Sequence, residues 1–380
     1  MIFAHLLNPV TLEVESVFED FQRLEWRRQL YKTPDYFEMT INLRQLSAAN
    51  IRKGTLVGVT ANPNIAVISK VFRVEQLLFE LDAGGSASEV IRAIGRDASG
   101  MFDERVVVPT GPRWDTRTGS AELVMKGYVN NNLGPTAPVV ARRIPNFVIA
   151  PNQDRGPIIE YNGRYQTLSE ILIEIAYFSR LGFEVQFDLT TGNYVFDIVE
   201  GVDRSIGQPT VVVFDGTFDT VQKQELITTD IGLKNHAYVG GSGQGPSRTI
   251  IQRTFNAAPE PVGYARSEMW IDARELDDDV ALQIRADGIM AQMNEEVSVE
   301  VTTSQLGQFV YLRDWDLGDI VTVRNDKWGI SENVRIVNIN HIIQGGSARI
   351  DHELMLNAAL PALTEKINAR IKSIEGGARV

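Results

Sequence analysis

Phe309-Val310-Tyr311-Leu312-Arg313-Asp314-Trp315-Asp316-Leu317-Gly318-Asp319-Ile320-Val321-Thr322-Val323 is the stretch on which the reading of the fold turns. Phe309, Tyr311 and Leu312 predict a strand running into a polar corner, and Ile320, Val321 and Val323 predict a strand running out. Gly318 sits inside the corner, where it takes a positive φ without the steric cost that a Cβ brings. Asp314, Asp316 and Asp319 carry short acceptors suited to local backbone amides. The same carboxylates suggest a calcium loop only in the first two members. Their spacing misses the EF-hand, and the bidentate Glu is absent. The corner reads as a turn in antiparallel β structure.

That signal extends on both sides of the corner. Val297, Val299 and Val301 alternate with Ser298, Glu300 and Thr302, and residues 334–343 and 349–356 flank the hairpin signal Gln344-Gly345-Gly346-Ser347. Within that hairpin His341 and His352 are expected to face each other as cross-strand neighbours. Residues 211–214, 236–239 and 249–253 also read as strands. Asp277-Asp278-Asp279 starts a helix, because carboxylates favour the positive end of a helix dipole. Residues 207–361 therefore predict a second β block with a helical insertion at about 263–296, followed by a short helical tail at 362–380.

The first 112 residues repeat the pattern. Val10, Leu12 and Val14 alternate with Thr11, Glu13 and Glu15; residues 24–30 lead to a turn at 31–35; Phe37, Met39, Ile41 and Leu43 alternate with Glu38, Thr40 and Asn42. Residues 56–59, 66–68 and 72–81 follow as short strands, which suits a small barrel or sandwich.

Between them, residues 113–206 change character. Ser120 caps a helix whose expected face is Leu123, Val124, Gly127, Tyr128 and Asn131. Thr167-Leu168-Ser169-Glu170 is a capping box, and the helix it opens is expected to stop at Gly182. Val185, Phe187 and Leu189, a Thr190-Thr191-Gly192-Asn193 turn, and Tyr194, Phe196 and Ile198 form a hairpin. The fold class is mainly β: two antiparallel β blocks flanking an α+β domain, the second block interrupted by a helix.

Composition narrows the function. The 380 residues include no cysteine, which rules out disulfides, Cys-ligated zinc, iron–sulfur clusters and thiol nucleophiles. A net charge of −12 argues against a nucleic-acid clamp. The basic run at residues 23–28, with Arg27 and Arg28 beside Trp26, is balanced by Glu19, Asp20 and Glu25 and reads as a solvated strand face. No apolar run approaches a membrane span, and the N-terminus lacks a signal-peptide pattern, so synthesis and folding in a cytoplasm are expected. The run Gly240-Gly241-Ser242-Gly243-Gln244-Gly245 is followed by Pro246 and a strand rather than a helix, so it reads as an inter-strand loop and not a phosphate cradle. No catalytic residue, metal ligand or cofactor site is predicted.

The order of these pieces resembles the siphophage distal-tail proteins of the baseplate-hub group, which includes tail-associated proteins and shares its fold with contractile-tail hubs. The likeness runs through residues 36–41, 102–111 with Ala121-Glu122 and Met125-Lys126, Tyr238-Val239-Gly240-Gly241 with Arg248, Arg274, and Asp316-Leu317-Gly318-Asp319. It covers most of residues 10–356. The resemblance implies a homotrimer at the tail tip, in which each subunit's two β blocks, residues 1–112 and 207–361, are tube-like antiparallel β-barrel domains flanking the α+β domain, the second barrel interrupted by a helix, and together present six positions to a sixfold tail tube. It implies as partners the tail tube and distal tail proteins, the tape-measure protein, and a fibre or spike, with DNA only in transit. Some relatives carry a lytic module; the chain stops at 380 without room for one, so a non-enzymatic role is expected. The alternatives are a tail-associated cell-wall hydrolase and a receptor- or carbohydrate-binding tail protein. Trp315, at the tip of the corner, with Asp316 and Asp319, is the candidate subunit contact.

Overall fold

The computed structural model describes residues 4–59, 70–81, 87–109, 114–188, 190–216, 221–229, 232–254, 260–274, 276–291, 293, 296–304, 308–325, 330–345 and 350–356. The chain divides into two units, residues 1–224 with 301–354 and residues 225–300 with 355–380.

The first unit is built on an antiparallel sheet. Its strands run in spatial order Val14–Phe18, Ala4–Leu7, Leu56–Val59, Lys70–Leu81, Ala87–Asp97, Tyr36–Asn42, Phe21–Gln29 and Ile330–Gln344. The last of these joins the two expected β blocks: residues 338–344 pair with the strand Phe21–Gln29, and residues 330–335 pair with Ile320–Asn325. Period-two patterning makes the sheet. Phe37, Met39 and Ile41 are fully buried, while Tyr36, Glu38, Thr40 and Asn42 between them are half-buried. They meet Leu24, Trp26, Phe72, Val74, Ile91, Ala93 and Ile343 in one core. Each buried Val, Leu, Ile, Phe or Met among them contributes roughly 1.5–3 kcal/mol.

The insert packs two helices, α1 (Ala121–Asn132) and α2 (Leu168–Ser179), with short sheets. Gly182–Asp188 pairs antiparallel with Asn193–Val199, the expected hairpin, and Phe147–Ile149 adds a parallel strand. Ser120 Oγ accepts from Leu123 N at 3.2 Å, as its capping role requires. In α2 the capping box closes in both directions: Thr167 Oγ1 accepts from Glu170 N at 3.3 Å, and Glu170 Oε2 accepts from Thr167 N at 2.9 Å. Thr167→Ala is expected to lower unfolding stability by about 1 kcal/mol, read from the denaturation midpoint.

Several expectations are corrected. The α1 face is shifted, burying Val124, Met125, Tyr128 and Val129, with Leu123 44% exposed. α2 ends at Ser179 on Arg180 in the left-handed region (φ 60°), not at Gly182. Gly182 opens a strand pressed so close to Leu30 that a Cβ would stand 2.7 Å from the Leu30 carbonyl oxygen. At the N-terminus, Asn8 accepts backbone bonds from Val10 and Thr11 through its side chain, Leu12 takes φ 61°, and the strand starts only at Val14. The strand expected at 66–68 and the helix expected at 362–374 lie outside the described residues.

In the second unit, His236–Gly240 pairs antiparallel with Ile250–Thr254 and parallel with Glu268–Asp272. α3 (Asp279–Ala291) covers one face of this sheet, with Leu282, Ala286 and Met290 against Ala237, Val239 and Ile271. Asp278 caps α3 through a 2.9 Å bond from Ala281 N, so the Asp277-Asp278-Asp279 run is the helix start that the dipole argument expects. The helix expected to interrupt the second β block thus brings its own three strands.

Candidate functional site

The corner is tighter than a hairpin. Residues 309–315 fold as successive turns rather than an incoming strand: Arg313 N and Asp314 N both donate to the Val310 carbonyl at 3.2 and 2.8 Å, and Leu312 takes φ 64°. Asp314 Oδ2 accepts from Val310 N at 2.7 Å. Asp319 accepts from Asp316 N at 3.0 Å, from Val202 N at 2.7 Å and from Arg204 Nε at 2.7 Å. Gly318 takes φ 91°, donates to the Ile336 carbonyl at 2.9 Å and accepts from Arg335 at 2.8 Å. The acidic residues hold the turn, as their chemistry predicts.

Trp315 is placed differently from the expectation. It is 1% exposed and lies inside its own subunit, its ring edge-on to Phe214 at 5.9 Å and to His352 at 5.6 Å. The indole is too large and apolar to stay at the tip of a turn when a pocket of aromatic rings is within reach. Asp319 is also buried, whereas the Asp316 side chain is 40% exposed.

Behind the corner is a buried ionic cluster. Arg28, 8% exposed, donates to the Tyr311 hydroxyl, to Asp316 Oδ1 at 2.7 Å and to both Glu184 oxygens at 3.1 and 3.2 Å. Lys70, 2% exposed, reaches Asp35 at 3.1 Å, Asp97 at 3.2 Å and Glu184 at 3.6 Å. These residues come from the N-terminal β block, the α+β insert and the corner, so one cluster ties three distant segments together. Burial works against charge on Glu184, but Arg28 and Lys70 outweigh it and hold its carboxyl down to about 2. Burial pushes the Asp35 carboxyl up to about 7, with Asp97 adding to the rise and Lys70 opposing it. The reading of Arg28 as part of a solvated face is corrected: it shares the inward face of its strand with Leu24 and Trp26.

His341 and His352 meet across the hairpin as expected, Nδ1 to Nδ1 at 3.0 Å, and both are buried. One must donate and the other accept, and burial, which disfavours charge on both rings, keeps the pair neutral in distinct tautomers. His341 stacks on Trp26 at 4.6 Å, and Tyr311 lies 5.0 Å from it and 4.9 Å from His352. The glycine run lies between two paired strands as expected, its Gly240 and Gly241 carbonyls held by Arg248 at 2.8 and 3.0 Å.

Sequence reasoning named Arg28 only as part of a solvated face and gave no such role to Asp35, Lys70, Asp97 or Glu184. The available signal was parity. Arg28 falls in step with Leu24 and Trp26, and Lys70 with Phe72 and Val74, so each charge occupies a core position of its strand.

This fold has known relatives. The family model of the Siphovirus ReqiPepy6 Gp37-like proteins matches residues 4–354. The chain belongs to that family of siphovirus tail proteins. Among curated proteins, no sequence matches. The fold is similar to that of a tail protein from Neisseria meningitidis MC58, at 15% identity over 94% of this chain and 96% of that one, with a TM-score of 0.57. It is similar to the 43 kDa tail protein of prophage MuSo2 from Shewanella oneidensis, at 13% identity over 93% and 97%, with a TM-score of 0.58. A chain of the Francisella PdpA–VgrG complex also shares it, at 9% identity over 95% of this chain and 53% of that one, with a TM-score of 0.51. The mainly β architecture expected from the resemblance is therefore the one found, and the protein is a siphovirus tail protein.

Proposed function

We propose that this tail protein is a non-enzymatic hub of the tail tip, a homotrimeric ring that joins the tail tube and distal tail proteins to a fibre or spike and lines the path of DNA. The observation that carries the reading is the single sheet running through both β blocks, joined by the pairing of the strand Ile330–Gln344 with Phe21–Gln29. A converter between threefold and sixfold symmetry needs two β blocks held in fixed relation within each subunit. The strand Val14–Phe18 ends the sheet and offers an outer edge that a neighbouring subunit would satisfy. The net charge of −12 suits a wall past which DNA slides without sticking. Of the three corner residues proposed as a subunit contact, Asp316 has the side-chain exposure to make it, while Trp315 and Asp319 support the turn from inside.

The test is the assembly state at the tail tip. Averaged particle images are expected to show three copies in a closed ring where the tube ends, with the same stoichiometry in intact tails by mass measurement. Six copies, one copy, or a position away from the tip would overturn the reading.

A further inference from the structure

The insert carries a groove of about 680 Å³ that neither the turn nor the ionic cluster explains. Its floor is the extended segment at residues 105–109. On one side this segment is bonded to residues 165–168: Leu168 N donates to Arg105 O at 2.8 Å, Val107 N to Gln166 O at 2.9 Å, and Tyr165 N to Val107 O at 2.8 Å. The alternation of an extended chain therefore turns the backbone groups of Val106 and Val108 the other way. Among the described residues, neither the Val106 nor the Val108 N–H has an acceptor. Val106, Val108 and Val139 leave apolar surface in the open, 44%, 49% and 55% exposed.

Two arginines stand in this apolar setting. Arg142 donates to Val106 O at 2.6 Å, and burial together with Arg105 pushes its guanidinium below the usual range. Arg105 donates to the Glu104 carbonyl at 3.2 Å, and its Nε is buried with no acceptor among the described residues. The nearby carboxylate, Glu104, is 3.7 Å from Arg96. The groove, which Glu104 also lines, therefore combines the Val106 and Val108 N–H groups, without an acceptor among the described residues, with apolar walls and two guanidinium groups, its own carboxylate standing near Arg96.

We infer that this groove binds an extended segment of another tail polypeptide, one with a carboxylate side chain flanked by apolar residues. The segment would add to the free edge of residues 105–109, its carboxylate between Arg105 and Arg142 and its apolar side chains on Val106, Val108 and Val139. This does not depend on the trimer reading.

The test uses the full chain and a fluorescent, end-capped peptide of alternating valine and threonine with one central glutamate. Anisotropy titration is expected to show binding that weakens about tenfold when the glutamate becomes glutamine, as loss of one charge-assisted hydrogen-bonded pair implies. N-methylation of the peptide backbone is expected to weaken it as strongly. Arg142→Gln and, separately, Val139→Asp, which places a like charge in the groove without touching a backbone contact, are each expected to weaken it about tenfold with unchanged thermal unfolding. Absence of binding at millimolar peptide, equal binding of the glutamine and glutamate peptides, or full competition by acetate would overturn the inference. So would concentration-dependent self-association of the chain that Val139→Asp abolishes, since the occupant would then be a second copy.

Discussion

Arg28→Met is expected to lower unfolding stability by about 3–5 kcal/mol, the usual cost of removing one member of a buried ion pair. The substituted chain keeps much of the side-chain volume but leaves Asp316 and the Tyr311 hydroxyl without their cation, and leaves Glu184 with the more distant Lys70 and the Gln186 amide. Arg28→Lys is not expected to rescue it. A single ammonium has no planar fork with which to reach Tyr311, Asp316 and both Glu184 oxygens together. Adding Glu184→Gln to Arg28→Met is expected to recover part of the loss, because the uncompensated carboxylate is then gone. Denaturant midpoints at constant slope measure all three. A loss below about 1 kcal/mol for Arg28→Met would place the cluster in water and reduce it to surface salt bridges.

Acid is expected to unfold the protein by way of the histidine pair. Burial holds His352 down to about 4, and burial holds His341 well below the ordinary value, with His352, Arg28 and Lys70 adding to the effect. In the unfolded chain each imidazole takes its proton near 6.5, whereas in the folded chain it resists. The unfolded state therefore binds more protons between those values, and stability falls as pH drops from about 6.5 toward 4. For His352 alone the loss is about 3 kcal/mol.

Asp35 has the opposite sign. Its folded value of about 7 means that the folded state holds the extra proton above the ordinary carboxyl range, so stability falls as pH rises from about 4 to 7. Two histidines outweigh one carboxyl. Glu184, held to about 2, adds a further acid loss below about 4.5. Urea midpoints from pH 7.5 to 4 are expected to fall, to flatten in His352→Gln, and to steepen in Asp35→Asn. A midpoint that rises toward pH 4 in the unmodified chain would show that the pair is solvated.

Much of the fold was legible in the sequence because its signals are local. The Thr167–Glu170 box, the Thr190-Thr191-Gly192-Asn193 turn and the alternation from Phe37 to Ile41 each specify their element within a few residues. Gly182 shows where this stops. A helix-terminating glycine and one forced by the closeness of Leu30 look alike until the chain is folded. Trp315 fails for a related reason: the turn is local, but the pocket of Phe214, Tyr311 and His352 that receives its ring is assembled from distant parts of the chain. The ionic cluster was the hardest to see. Its partners lie up to 288 residues apart, as Arg28 and Asp316 do, and only the parity of Arg28 and Lys70 hints at burial. The meeting of His341 and His352 was readable because a hairpin brings them opposite within 11 residues.

The pairing of Phe21–Gln29 with residues 338–344 has a consequence for biosynthesis. At about 5–20 residues per second, the partner strand leaves the ribosome roughly 15–60 seconds after the strand that needs it. Throughout that interval the nascent chain carries an unpaired β edge, and Arg28 and Lys70 lack Glu184 for the first half of it. A host cell making many copies at once would hold a crowd of such edges, so soluble yield should depend on translation speed and chaperone supply more than on the stability of the finished fold.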